Sequence, residues 1–152
     1  MGKVGSIGLA ITLLLSVSTK AQRDSCAFFG NKSIFPYYHP SPPSNGKDFY
    51  ATKTAFKQAI TANTHFSGII TVIFYINYLG ETDLYRLQLC DLHYQPLAVN
   101  ADNNDLCNQL LAAVKRSGPW KPAHDAEQGV VNARKFYSFK FENGTLLEIL
   151  PK

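Results

Sequence analysis

Sulfur is scarce in this chain, which has three cysteines and one methionine among 152 residues. An odd cysteine count excludes a mini-protein stapled wholly by disulfides. No apolar run reaches the ~20 residues that cross a bilayer as a helix. The longest, Val4 to Val17, is broken by Gly5, Ser6, Gly8, Thr12 and Ser16. Charge of one sign is also lacking: fifteen basic residues face eleven acidic ones, a net charge of +4, too small to argue for nucleic acid. Catalytic signatures are absent too. There is no His-Glu-x-x-His, Gly-x-Ser-x-Gly, Cys-x-x-Cys or glycine-rich phosphate loop, and His39, His65, His93 and His124 are scattered over leader, loops and a strand end. The expectation is a non-enzyme with no metal site and no cofactor.

What is present begins with an export signal. Lys3, the apolar run and Ser18-Thr19-Lys20-Ala21 read as the n-region, h-region and cleavage motif of a signal peptide over residues 1–21, cut after Ala21. Cleavage removes Lys3 and Lys20 and leaves thirteen basic against eleven acidic residues. Cys26 follows Arg23-Asp24-Ser25 rather than a small-residue lipobox, which argues against lipidation. Cys26, Cys90 and Cys107 allow one disulfide with a thiol left over, or simply buried thiols. Residues 22–47 carry Pro36, Pro40, Pro42 and Pro43 and read as an extended tether. Phe28, Phe29, Phe35, Tyr37 and Tyr38 are costly in a solvated linker, so part of it is expected to lie on the domain or on a partner.

The folded domain is expected over residues 48–152. Asp48 reads as an N-cap, and Phe49, Phe56, Ala59 and Ile60 share a helical face ending near Asn63. Gly68 opens a strand whose Ile70, Val72, Phe74 and Ile76 alternate with Ile69, Thr71, Ile73 and Tyr75, apolar on both sides and therefore central. Gly80-Glu81 turns it into a second strand with Tyr85, Leu87 and Leu89. Asn104 or Asp105 caps a helix through Leu106, Leu110, Leu111 and Val114, and Lys115-Arg116 suit its C-terminal dipole. Ser117-Gly118-Pro119-Trp120-Lys121-Pro122 follows, a crossover stiffened by prolines and anchored by the single tryptophan. Val131, Ala133, Lys135, Tyr137, Phe139 and Phe141 then face the core from a third strand, and Asn143-Gly144 signals a hairpin to a fourth, Thr145 to Leu150. Lys135 falls on the buried face, where it marks a frayed strand start or an attractor for an acidic partner.

Gly68, Val72-x-Phe74-x-Ile76, Gly80, a helix ending in Trp120-Lys121-Pro122-Ala123, and Gly129-Val130 before an alternating strand resemble the TonB C-terminal domain over roughly Asp48 to Glu142. The resemblance implies an α+β fold, with two helices on one face of a small three- to four-stranded antiparallel sheet. It also implies a periplasmic module of a Gram-negative energy transducer, whose sheet edge takes up a strand from an outer-membrane receptor. On this chain that edge is Arg134, Lys135, Phe136, Tyr137, Ser138 and Phe139, and Gly68, Gly80, Trp120, Lys121 and Pro122 are structural signature residues. Recognition by strand addition uses backbone N–H and C=O groups and needs no catalytic side chain. With the leader cleaved, no membrane span remains and the module binds a receptor or another envelope protein without transmitting force itself. Homodimers are a further possibility, nucleic acid is not, and the returning fourth strand is expected to cover part of the binding edge.

Overall fold

The computed structural model describes residues 25–36, 43–47 and 49–151. The cleavage site after Ala21, the Asp48 cap and the Cys26 thiol lie outside the described residues. In chain order the elements are α1 (Ser25–Phe29), β1 (Ile34–Phe35), α2 (Phe49–Ala59), β2 (Gly68–Ile76), β3 (Thr82–Cys90), β4 (Pro96–Leu97), α3 (Asn104–Lys115), β5 (Ala123–Asp125), β6 (Gly129–Glu142) and β7 (Thr145–Leu150).

Strand β2 is the centre because its alternation is apolar on both sides. Ile70, Val72, Phe74 and Ile76 are fully buried, and Ile69, Thr71, Ile73 and Tyr75 are half-buried on the other face. It pairs antiparallel with β3 from Ile69 opposite Cys90 to Ile76 opposite Thr82, with an irregularity between Ile73 and Tyr75. On its other side it pairs antiparallel with β6, from Gly68 opposite Phe141 to Ile76 opposite Ala133. Tyr137 therefore lies opposite Val72.

Helices α2 and α3 cover the fully buried face. Phe56 from α2, Leu106, Leu110 and Val114 from α3, and Trp120 join Phe74, Tyr137 and Phe139 in one apolar cluster, with Leu111 packed against it. Phe56 meets Tyr137 and Phe139 edge-on, with ring centroids 5.0 and 5.2 Å apart. The N-cap position of α3 is Asn103, not Asn104 or Asp105, and its side chain makes no cap bond. Instead the Asn103 amide closes the preceding loop, donating to the Ala98 carbonyl and accepting from the Asn100 N–H. At the last hairpin Asn143 and Gly144 both have positive φ, 47° and 76°, as a type I′ turn requires.

The fold class inferred from the resemblance is corrected. The sheet has seven strands rather than three or four, and it is mixed, because β1 runs parallel to β6. Three short helices accompany it, and they do not share one face: Phe29 of α1 meets Tyr75, which projects from the side opposite Phe74, at 5.3 Å. The extra strands come from segments too short to show periodicity. Ile34–Phe35 lies beside Asn132 and Ala133, Pro96–Leu97 beside Leu89 and Cys90, and Ala123–Asp125 beside Gly129 to Val131. Part of the leader lies on the domain, as its aromatics suggested, since Phe28 is only 2% exposed and Ile34–Phe35 pairs with β6. Cys90 and Cys107 are both free. Leu89 is buried toward the helices, so Cys90 faces the opposite side of the sheet from Cys107 on α3.

Candidate functional site

Every residue of the expected partner edge sits on β6, and the structure divides that edge in two. Ser138 and Phe139 are covered on their outer side by Leu150 and Ile149 of β7. At the other end, β1 pairs with Asn132 and Ala133, and β5 with Gly129 to Val131. Between those partners lies the stretch from Arg134 to Tyr137, in which Phe136 has an interaction of its own. The returning strand thus covers part of the edge and stops short of the rest.

Side chains alternate across this stretch. Lys135 and Tyr137 project toward the helices, and Arg134 projects to the opposite face beside its register partner Tyr75. Lys135 is not at a frayed end. Its ammonium lies 5.4 Å from the Trp120 ring and 5.5 Å from the Tyr137 ring, so an apolar stem is buried while the charge rests on aromatic faces. Burial holds the Lys135 ammonium below its ordinary pKa and pushes the Tyr137 hydroxyl up to about 12.

The Trp120-Lys121-Pro122 corner backs this site. Trp120 is 8% exposed and packs on Phe74 at 5.6 Å. Lys121 exchanges backbone hydrogen bonds with Ser44, at 2.6 and 3.1 Å. Gly80 closes against the same corner: its φ is +82°, and a Cβ there would run into the Trp120 carbonyl oxygen. Gly68 has a comparable role at the start of β2, where a side chain would meet the Cys90 carbonyl and the Phe66 ring. Both glycines and the tryptophan thus have packing roles.

Two grooves flank this stretch. On the helix side a cavity of about 190 Å³ is bordered by Lys135, Tyr137, Trp120, Lys47 and Pro151. On the other face a cavity of about 230 Å³ is bordered by Arg134, Tyr75, Ile34, Phe35 and Pro36. Among the described residues, no aspartate or glutamate borders either one.

Two buried asparagines were not legible as important. Asn132 is fully buried. Its amide nitrogen donates to the carbonyls of Phe29 and Lys32, and its oxygen accepts from the Tyr78 N–H. Asn77, 1% exposed, accepts from the Leu79 and Glu81 N–H groups and donates to the Phe28 carbonyl. Together they tie the leader to the β2–β3 turn. The available signal was an asparagine at each end of an apolar run, in Tyr75-Ile76-Asn77 and Val130-Val131-Asn132.

His39 lies outside the described residues, and the described histidines do not converge. His93 lies in the β3–β4 turn and His124 on β5, with β6, β2 and β3 between those elements. Among the described residues no three His, Cys, Asp or Glu side chains group closely enough to hold a metal ion, and no helix is long and apolar enough to cross a membrane. Comparison with protein-family models, with curated proteins and with solved structures gives no match.

Proposed function

We propose that the chain is an exported, periplasmic protein-binding module of the TonB C-terminal type, and that it takes up an extended segment of an outer-membrane receptor or another envelope protein as an added strand on β6. The observation that supports this reading is the short last strand β7, which covers β6 from Ser138 to Glu142 as the final pairing of the sheet. An incoming strand would pair with β6 over Ser138 and Phe139 where the β7 tail frays.

The docked leader favours the form of this reading without energy transduction. If an anchor occupied residues 1–21, residues 25–35 would already be bound to the sheet. The few positions between would extend about 10 Å at ~3.3–3.6 Å each, too short a tether to cross a periplasm.

The test is a titration of the full chain with a labelled receptor-type peptide and with the same peptide N-methylated at alternate backbone nitrogens. Strand addition predicts at least about a tenfold loss on methylation, because about two backbone bonds of ~1 kcal/mol each disappear. Equal affinities would remove the reading. Deleting Thr145 to Lys152 should tighten binding of the unmodified peptide, since a tethered strand competes at an effective concentration of ~mM.

A further inference from the structure

We infer that the groove between the α2–β2 loop and the β4–α3 loop binds a neutral oligosaccharide of about two or three sugar units. The two loops, residues 60–67 and 98–103, border a cavity of about 760 Å³, within the range of ~300–1,000 Å³ usual for small-molecule sites. It shares no lining residue with the grooves beside β6 and does not depend on the strand-addition reading.

The lining selects the ligand's charge and polarity. Among the described residues no lysine or arginine borders the cavity, whereas Asp102 and Asp105 both do, so a phosphate or carboxylate ligand meets like charge. Polar side chains outnumber apolar ones along its walls, which would leave a fatty ligand's surroundings without polar partners. Donors and acceptors are mixed. Asn100 uses its side-chain oxygen to accept from the N–H groups of Asp102 and Asn103, at 3.0 and 3.2 Å, and keeps only its amide N–H groups for a ligand. The Asp102 carboxylate accepts no hydrogen bond from a described residue, and Asp105 uses one oxygen to accept from Gln109 at 3.1 Å. The Asn63 and His65 side chains are also unbonded among the described residues, and each offers a donor and an acceptor. An ammonium only donates and would leave the Asn100 amide unsatisfied. A sugar hydroxyl donates and accepts at once, so it meets both kinds of group. Phe66 and Leu97 supply apolar wall for the C–H face of a pyranose ring.

The walls are held in place by the protein's own bonds. Thr64 Oγ1 donates to the Asp102 carbonyl at 3.3 Å and accepts from the Phe66 N–H at 3.0 Å, which joins the two loops. Gln109 Oε1 accepts from the Thr61 and Ala62 N–H groups, at 2.7 and 2.9 Å, and ties the first loop to α3. Asn103 closes the second loop from within. Binding therefore orders little that is not already ordered. About four or five net hydrogen bonds in an open groove correspond to a Kd of roughly 0.1–1 mM.

The experiment titrates the isotope-labelled full chain with the neutral trisaccharides cellotriose, maltotriose and triacetylchitotriose, and with two charged counterparts, trigalacturonate and the glucosamine trimer, following amide shifts by NMR. At least one neutral sugar should shift the amides of residues 63–67 and 100–105 with a Kd of roughly 0.1–1 mM. Trigalacturonate should bind at least about tenfold more weakly, and the glucosamine trimer should stay within about tenfold of the best neutral sugar. Asn63→Ala and Asp102→Ala, both at exposed positions, should each weaken that sugar by about fivefold while leaving the affinity for a receptor-type peptide unchanged. No shift with any neutral sugar at about 10 mM would overturn the proposal, as would shifts confined to other parts of the chain or an unchanged sugar affinity in both variants. A glucosamine trimer bound more than about tenfold tighter than every neutral sugar would make this an amine site and overturn it too.

Discussion

Asn132 shows how much of this fold depends on single polar groups. Its side chain satisfies three backbone groups from two distant segments while being fully buried. Asn132→Ala strands those groups, and we expect a loss of roughly 2–4 kcal/mol in urea unfolding; a loss below about 0.5 kcal/mol would mean that the leader is not held as described. In the sequence Asn132 only alternated with apolar neighbours, because its partners lie 54 to 103 residues away. Lys135 was legible in part: alternation put it on the buried face, but only the fold shows the Trp120 ring beneath it. Tyr137 gives a pH prediction. Burial raises its hydroxyl from near 10 to about 12, so the stability it contributes is complete below about pH 10 and is lost as pH rises through about 12. That displacement corresponds to roughly 2–3 kcal/mol. Lys135 acts in the opposite sense, its buried charge costing less as it loses its proton. Tyr137→Phe should therefore lose stability less steeply than the parent between about pH 10 and about pH 11.5, measured by denaturant midpoints. Parallel curves would contradict the buried hydroxyl.

At the scale of elements, length decided what could be read. β2, β3, β6 and α3 each run for nine residues or more, enough for a period to declare itself. β1 and β4 have two residues each and β5 three; they are strands only because a longer partner lies alongside. The candidate edge was legible as a strand, and its partial cover by β7 was expected; the pairing of β1 with the same strand was not. Gly80 was visible as a break, and the structure adds the reason that it must be glycine. Gly80→Ala combines a positive φ with a clash against the Trp120 carbonyl, and we expect at least about 2 kcal/mol of destabilisation; a change in melting temperature within error would show that the corner yields. The last strand is more than a cover. Ile149 is 1% exposed within the main cluster, so Ile149→Ala should cost about 2–4 kcal/mol. Deleting Thr145 to Lys152 should accordingly lower the melting temperature even as it opens the β6 edge.

For the whole molecule, the sequence pointed to a helix-covered antiparallel sheet and to a leader resting in part on the domain, without showing where. Phe28 and the two asparagines bind residues 25–35 to the sheet on the side away from α2 and α3. The assembled body pairs its longest strand, β6, with β2 on one side and with β7 on the other from Ser138 to Glu142. Amide hydrogen exchange of the full chain, with and without a receptor-type peptide, tests the strand-addition reading most directly. The account predicts that the peptide strips protection from Leu146 to Leu150 of β7 while β6 keeps its own and β3 is unchanged. Unchanged protection of β7 at saturating peptide would contradict it.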